Sequence, residues 1–198
     1  MVTPESPTVL ALAGGVGGAK LVLGLARCLP PGDLVICVNT GDDETFHGLH
    51  VSPDLDTMMY TLSGLSNQET GWGVAGDTFT ALEMLGKFGV DTWFNLGDRD
   101  FATHIRRSQL LAEGKTLSEV ISELNRSLGV FHNVVPMSND PVKTVLSTDE
   151  GELPMQRYFV GRRAEPKVFE VRYIGVENAT AAPGLLDSLA KCGMLVLC

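Results

Sequence analysis

Four carboxylates lie close together in the sequence, with Asp42 and Asp43 in one polar stretch and Asp54 and Asp56 in the next. Like charges that crowd together repel each other, so such a cluster is most stable with a cation among its members. Carboxylate oxygens are the ligands that Mg²⁺ prefers in proteins. The spacing therefore predicts a site for one or two Mg²⁺-type ions. The alternative is that two or three of these residues only cap helices or lie in solvated turns.

A glycine-rich stretch, Gly14-Gly15-Val16-Gly17-Gly18, follows the apolar run 9–13 and precedes a helical spacing of apolar residues that begins at Leu21. Backbone N–H groups can approach an anion closely where side chains are absent, and a helix N-terminus adds about half a positive charge. This stretch is typical of phosphate binding. The alternative is a tight packing turn between a strand and a helix that binds no ligand.

The glycine stretch does not by itself name the ligand. Lys20 follows Gly15 at the wrong distance for the phosphate-binding motif GxxxxGK[ST], and Leu21 stands where that motif has a hydroxyl group. A dinucleotide turn is loosely matched, but that motif requires an acidic residue at the end of the second strand, where Asn39 stands. A nicotinamide-dependent oxidoreductase therefore stays open as an alternative.

Strands and helices that alternate along the chain must position these groups. The apolar runs 9–13 and 34–38 predict buried strands, and ligand residues in open α/β sheets lie beyond the carboxyl ends of the strands. We therefore expect the acidic stretch 39–44 beside the glycine stretch. Residues 53–62 predict a short helix that ends at Gly64, and the capping box 116–119 predicts the start of another.

Other side chains have two interpretations each. Asp77 or Thr78 is predicted to cap the helix that follows it. Three arginines near two aspartates indicate either a salt-bridged helix or a phosphate clamp, and three aromatic residues beside glycines indicate either core packing or stacking on a flat ligand ring. The four histidines are scattered, which favours structural or surface roles. These sets are Arg99, Arg106 and Arg107; Tyr60, Trp72 and Trp93; and His47, His50, His104 and His132.

Composition narrows the class of protein. A length of 198 residues predicts one domain, and the net charge of −9 argues against a nucleic-acid partner. The four cysteines form no CxxC pair and no zinc spacing, which predicts reduced thiols in a cytoplasmic protein. Residues 1–7 show no leader pattern and the sequence has no run of 18 apolar residues, so we expect neither secretion nor a membrane span.

Six motifs in fixed order resemble the 2-phospho-L-lactate transferase family of coenzyme F420 biosynthesis: GGVGGAK, NTGDDE, PDLDTMMY, GWGVAGDTF, LGDRDFATHIRRSQLL and VPMSNDPVKT. The resemblance runs from Val9 to the C-terminus. It implies an α/β fold, a Rossmann-like three-layer sandwich with a mostly parallel sheet. It also implies Mg²⁺-dependent transfer of a phospholactyl or enolpyruvyl-phosphate group from a guanosine diphosphate donor to the deazaflavin Fo, with release of GMP, in a homodimer.

The resemblance also implies roles for single residues. Asp42 and Asp54 match the metal ligands and are the expected catalytic residues, with Asp43 as a helper and a metal-side aspartate as the expected general base. Asp56 and Asn95 match positions that contact Fo, although some relatives carry a basic residue in place of Asn95.

The remaining implied contacts concern the donor. The stretch Gly14 to Gly18 is expected at its phosphates, and Ser138 and Asp140 lie in a loop that matches one near the nucleotide. Relatives continue beyond the strand 194–198 into a further loop and helices, so we expect the C-terminal part of the fold to be missing from this chain. A nucleotide-sugar-binding regulator of similar fold is the other alternative.

Overall fold

The structure, a computed structural model, describes residues 8–198. The expectation that no leader is present concerns residues 1–7 and lies outside the described residues. The strands are β1 Val9–Ala13, β2 Leu34–Val38, β3 Glu44–Phe46, β4 Leu49–Val51, β5 Asn133–Pro136, β6 Lys143–Thr148, β7 Gly151–Pro154, β8 Val168–Ile174 and β9 Met194–Leu197. The α-helices are α1 Gly15–Cys28, α2 Pro53–Ser63, α3 Thr80–Lys87, α4 Asp98–Ala112, α5 Leu117–Ser127 and α6 Leu185–Lys191.

A parallel sheet of four strands, in the order β5-β2-β1-β9, forms the centre of the fold. Ala11 in β1 lies opposite Ile36 in β2 on one side and Val196 in β9 on the other. All five residues of β2 and four of the five in β1 are buried, as expected for parallel strands covered on both faces. The two strands predicted from the apolar runs are therefore confirmed.

Helices cover both faces of this sheet. On one face, Ala11 and Ile36 pack in a core with side chains of α1, α2 and α5, including Val22, Leu55 and Ile121. On the other face, Leu10, Val35 and Cys37 pack with residues that include Leu185 and Cys192, at the two ends of α6. The α/β, three-layer arrangement expected from the sequence is confirmed.

Two further sheets flank the carboxyl ends of the parallel strands. Strands β3 and β4 form a hairpin, and β7, β6 and β8 form an antiparallel sheet with β6 in the middle. The backbone N–H of Thr144 in β6 donates to the carbonyl of Gly41, which ties this antiparallel sheet to the end of β2. The stretch 155–160, whose type the sequence leaves ambiguous, enters a π-helical turn at Arg157–Gly161.

The prediction that Asp77 or Thr78 caps α3 is wrong. Asp77 caps α4 instead, and Asp98 of α4 caps α3. The carboxylate of Asp77 accepts hydrogen bonds from the backbone N–H groups of Arg99 (2.9 Å) and Asp100 (3.1 Å), at the start of α4. Asp98, the first residue of α4, accepts from Thr80 (3.2 Å) and Ala81 (2.9 Å), at the start of α3. The two helix starts therefore depend on each other.

Other predicted boundaries agree with the structure. Helix α2 ends at Gly64, which has a φ of 76°, and Thr116 and Glu119 form both hydrogen bonds of a capping box at the start of α5. Among residues 8–198, no helix has the length and the apolar character needed to cross a bilayer.

Candidate functional site

A cavity of about 750 Å³ opens beyond the carboxyl ends of β1 and β2, bordered by the antiparallel sheet. Its volume is in the range typical of small-molecule sites. One end carries acidic and amide groups, a second wall carries a buried polar cluster, and aromatic side chains line much of the rest. Its lining includes Gly15, Val16, Asn39, Asp42, Asp54, Asp56, Tyr60, Trp72, Phe94, Asn95, Asp100, His104, Thr144, Gln156, Phe159 and Tyr173.

At the acidic end, one amide holds two carboxylates together. Asn39 follows β2 directly, and its Nδ2 donates to Asp42 Oδ1 and to Asp54 Oδ2, each at 3.0 Å. The other oxygen of Asp54 accepts from the backbone N–H of Gly15 at 2.8 Å. The expected proximity of the acidic stretch to the glycine stretch is therefore confirmed.

Asp42 is held from the opposite side by Gln156. The Gln156 Nε2 donates to Asp42 Oδ2 at 2.6 Å, although the two residues lie 114 positions apart in the sequence. Burial, followed by the charges of Asp54 and Asp43, raises the pKa of Asp42 to about 7. Gln156 could not be identified from the sequence, because a single amide in a stretch whose pattern fits both helix and strand carries no recognisable signal.

Asp43 lies behind these groups. Its Oδ2 accepts from the hydroxyl of Ser52 at 2.7 Å and lies 3.1 Å from His50 Nε2. Burial raises the pKa of Asp43. The described residues that line the cavity do not include Asp43. Its predicted role as a helper at the metal stays a prediction.

The glycine stretch is mostly helix rather than loop. Gly14 is the extended residue before α1, Gly15 begins the helix with a φ of 64°, and Gly18 is buried against Ala13. Gly15 and Val16 line the cavity. The N–H of Gly15 already donates to Asp54, so a bare phosphate at this helix start would meet a carboxylate.

Gly14 is the glycine whose lack of a side chain matters most for this geometry. A Cβ added there would lie 2.7 Å from Asp54 Oδ2, whereas a Cβ at Gly17 would meet no atom within 4 Å. We expect Gly14→Ala to displace the Asp54 carboxylate and to lower the free energy of unfolding by about 1–3 kcal/mol. Gly17→Ala is expected to leave it unchanged or to raise it, because alanine is the better helix former. Urea denaturation of both variants tests this, and equal losses would contradict it.

A second wall of the cavity carries a cluster of buried polar side chains that contact one another. Arg107 is fully buried and binds both oxygens of Asp56, and its Nη1 lies 3.2 Å from His104 Nδ1. His104 Nε2 lies 3.2 Å from Asp100 Oδ1, which also accepts from the hydroxyl of Tyr60 at 2.7 Å. The contacts within this cluster were not predicted from the sequence. The i, i+4, i+7 spacing of its three α4 residues was the available signal.

The arginines form salt bridges or bond the backbone. Arg106 pairs with Glu123 at 2.7 Å, Arg107 pairs with Asp56, and Arg99 Nη1 donates to the carbonyl of Ala75 at 3.0 Å. The described residues that line the cavity include none of the three arginines. The structure thus favours the salt-bridged alternative over a phosphate clamp.

The residues expected at the nucleotide lie elsewhere. Ser138 donates to the carbonyl of Thr180 at 2.6 Å, and Asp140 Oδ2 accepts from the N–H and the hydroxyl of Thr180, each at 2.9 Å. These bonds tie the loop after β5 to the segment before α6. The structure does not bring Ser138 and Asp140 to the cavity lining, so their contact with a nucleotide stays a prediction.

Aromatic side chains form much of the apolar part of the cavity. Phe94 stacks on Phe46 with ring centroids 4.1 Å apart and an angle of 4° between the planes. Trp72 and Tyr173 line the same cavity, with exposed fractions of 43% and 58%. Trp93 packs edge-on against Phe46. The site can therefore accept a flat, partly apolar ring next to an acidic end.

Comparisons with known proteins agree on one family. A family profile described as 2-phospho-L-lactate transferase CofD matches residues 9–198. The chain is 44% identical over 193 residues to the phosphoenolpyruvate transferase of Streptomyces avermitilis, covering 95% of this chain and 60% of that protein. It is 40% identical over 189 residues to the 2-phospho-L-lactate transferase of Methanothermobacter thermautotrophicus, covering 96% and 60%.

Among solved structures, the fold is similar to a crystal structure of a UPF0052 family member from Bacillus halodurans. The TM-score is 0.60 at 16% sequence identity, covering 96% of this chain and 58% of that one. At this identity the likeness concerns the fold alone. The chain spans about 60% of the length of the curated relatives named above.

Proposed function

Because the chain belongs to the 2-phospho-L-lactate transferase family, we propose that its cavity transfers a phosphate-linked three-carbon acid from a guanosine diphosphate donor to the deazaflavin Fo. GMP leaves in this reaction, which is a step of coenzyme F420 biosynthesis. The acid is phospholactyl or enolpyruvyl phosphate, since the two groups of relatives are named for different acids. We further propose a homodimer in the cytoplasm.

One observation supports this proposal most strongly. Asp42 and Asp54 converge on the same amide nitrogen, at 3.0 Å each, next to the N-terminus of α1. Aromatic side chains line the same cavity. Phosphoryl transfer needs charge neutralisation and positioning more than covalent chemistry, and this acidic end beside a helix start is suited to that task.

The acidic end fits Mg²⁺. Its donor set consists of hard oxygen atoms, and burial together with the charges of Asp54 and Asp43 raises the pKa of Asp42, so a cation there would offset crowded negative charge. Asp42 and Asp54 would hold the ion. When bound, it would neutralise charge on the diphosphate of the donor.

The chain's own residues would position the reactants around that ion. Asn39 and Gln156 fix the two oxygens of Asp42 by hydrogen bonds from opposite sides. Asp54 is fixed by Gly15 and Asn39, so both carboxylates are oriented before any ligand arrives. The aromatic part of the lining, including Phe94 and Tyr173, would hold the deazaflavin ring and exclude water from the reacting phosphorus.

Release of GMP tests the proposal. The purified protein is mixed with Fo, Mg²⁺ and either the phosphoenolpyruvyl or the phospholactyl guanosine donor, with the Streptomyces avermitilis relative as the positive control. We expect GMP to form with one of the donors, together with the deazaflavin that carries the three-carbon acid through a phosphodiester. If the relative turns over and this chain, tested alone and extended to the relative's length, releases no GMP with either donor, the proposal is wrong.

Metal binding should depend on pH in a defined direction. Because the pKa of Asp42 is raised to about 7, this carboxyl is protonated below that pH and a cation must displace the proton. We expect the Kd for Mn²⁺ to rise about tenfold for each pH unit below about 7 and to level off above it. Isothermal titration from pH 5.5 to 8.5 measures this. A Kd that stays constant over the range would contradict a role for Asp42 as a ligand.

The two alternatives left open by the sequence receive less support. A nicotinamide site needs an acid at the end of β2 for the ribose, but Asn39 stands there and its Nδ2 already bonds Asp42 and Asp54. A nucleotide-sugar-binding regulator would leave the polar cluster of Asp56 and Asp100 without a purpose. We therefore propose neither.

A further inference from the structure

The polar wall of the cavity holds a carboxylate that no role described above uses. Asp100 lines the cavity, and its side chain is 11% exposed. Its Oδ1 accepts from the hydroxyl of Tyr60 at 2.7 Å and lies 3.2 Å from His104 Nε2. Among residues 8–198, no hydrogen bond reaches the other oxygen, Oδ2. One oxygen of Asp100 is therefore held in place while the other is left to accept a bond.

The neighbouring carboxylate, Asp56, has a different set of hydrogen bonds. Both of its oxygens bind the buried guanidinium of Arg107. Asp56 was expected to contact the acceptor, and each of its oxygens already accepts a hydrogen bond from this guanidinium. Asp100 differs in having one oxygen that accepts no hydrogen bond from residues 8–198.

The cluster also fixes how His104 is oriented. Arg107 can only donate, so the His104 Nδ1 that lies 3.2 Å from its Nη1 must act as the acceptor. The ring proton then resides on Nε2, the nitrogen facing Asp100. His104 is 1% exposed and Nε2 has no well-aligned acceptor, so this buried donor adds to the polar character of the wall.

The charges select the chemical class of the ligand. Two carboxylates and one guanidinium leave the wall with an excess of one negative charge, which disfavours a phosphate and favours a hydrogen-bond donor. Aromatic side chains, including Phe94 and Trp72, line the same cavity and suit a flat ring. The reacting hydroxyl belongs at the other end, with Asp42 and Asp54. The donor available to Asp100 is then an N–H group on the edge of the ring.

We propose that Asp100 binds a ring N–H of the planar heterocycle in this cavity, and that Tyr60 is a positioning residue that aims its carboxylate. This inference rests on the proposed function, in which the heterocycle is the deazaflavin Fo. It adds to the site a residue that determines which ring can bind. A heterocycle without an N–H on that edge is bound weakly.

Fluorescence titration with Fo tests the inference. In Asp100→Asn, the hydroxyl of Tyr60 still donates to the amide oxygen, so the amide N–H₂ group points toward the ligand. The N–H₂ group then faces the ring N–H, and two donors meet without an acceptor. We expect the Kd for Fo to rise at least tenfold, since a hydrogen bond to a charged group is lost. The Kd for GDP should stay within a factor of two. The control Glu113→Gln changes an exposed carboxylate just beyond α4 and should alter neither constant.

A second ligand separates binding from folding. Fo methylated at the imide nitrogen of its ring should bind wild-type protein at least tenfold more weakly than Fo, and Asp100→Asn should bind both ligands about equally. If Asp100→Asn does not fold, Tyr60→Phe replaces it and should weaken binding of Fo while sparing GDP. Equal binding of Fo by wild type and variant, or of the two ligands by wild type, would overturn the inference alone. Failure of wild type to bind Fo at all would instead overturn the proposed function, and the inference with it.

Discussion

Replacing Arg107 by methionine is expected to lower the free energy of unfolding by about 3–5 kcal/mol, because the variant leaves Asp56 as a buried charge without its partner. Arg107 has no exposed surface, and the side chain of Asp56 is 7% exposed. The guanidinium also donates to the carbonyl of His50 at 3.3 Å, which would lose this bond. Since a domain is stable by about 5–15 kcal/mol, the loss would be a large part of the total.

A double-mutant cycle separates the ion pair from simple loss of packing. The variant Arg107→Met with Asp56→Leu removes both charges and should recover much of the stability that Arg107→Met loses. Arg106→Met is the matched control, because Arg106 pairs with Glu123 while 46% of its side chain stays exposed. We expect that control to cost at most about 1 kcal/mol. Guanidinium denaturation measures wild type, Arg107→Met, Asp56→Leu, the double variant and the Arg106→Met control. A similar loss for Arg106→Met and Arg107→Met would contradict the expectation.

In the proposed reaction, Asp42→Asn is expected to reduce the rate of GMP release at least about a hundredfold, which corresponds to about 2.7 kcal/mol of transition-state stabilisation. The amide keeps the shape of the side chain and an oxygen for Gln156, but it lacks the charge that would hold Mg²⁺. Mn²⁺ affinity should fall in parallel. The control Asp91→Asn changes a carboxylate that is 71% exposed and should leave both quantities unchanged.

The same variant should not lose stability. Because the pKa of Asp42 is raised from 3.8 to about 7, its charged form is disfavoured in the folded protein, and wild-type stability falls as the pH rises through this interval. Asn at this position carries no such penalty. Denaturation at pH 8 should therefore show Asp42→Asn to be as stable as wild type or more stable. A stable variant that releases GMP at the wild-type rate would exclude Asp42 from catalysis.

Local patterns in the sequence predicted much of the sheet and the acidic end of the cavity. The runs 9–13 and 34–38 are continuous apolar stretches, a pattern typical of parallel strands that are covered on both faces. Since β2 ends in a polar stretch, the rule for open α/β sheets placed the acidic stretch 39–44, which includes Asp42, beside the glycine stretch. These inferences need only short-range information.

Contacts between distant parts of the chain were not predictable in this way. Gln156 reaches Asp42 from the segment between β7 and the π-helical turn, and nothing in its sequence neighbourhood marks it as different from a surface amide. Likewise, Asp77 resembles a cap for the next helix, but the local sequence does not tell which of two helix starts its carboxylate reaches. Tertiary packing decides both.

The mutual caps of α3 and α4 link the local unfolding of these two helices, and α4 carries part of the cavity lining. The segment between the two helices carries Phe94 and Asn95, which line the cavity, and α4 carries Asp100 and His104. Because Asp77 and Asp98 join the two helix starts, fraying at one releases the donors of the other. The two helices and their connecting segment should thus exchange their amide hydrogens as one cooperative unit. The part of the cavity lining that α4 and this segment carry would then be lost or formed together, while the two acids at the end of the cavity stay anchored to the central sheet.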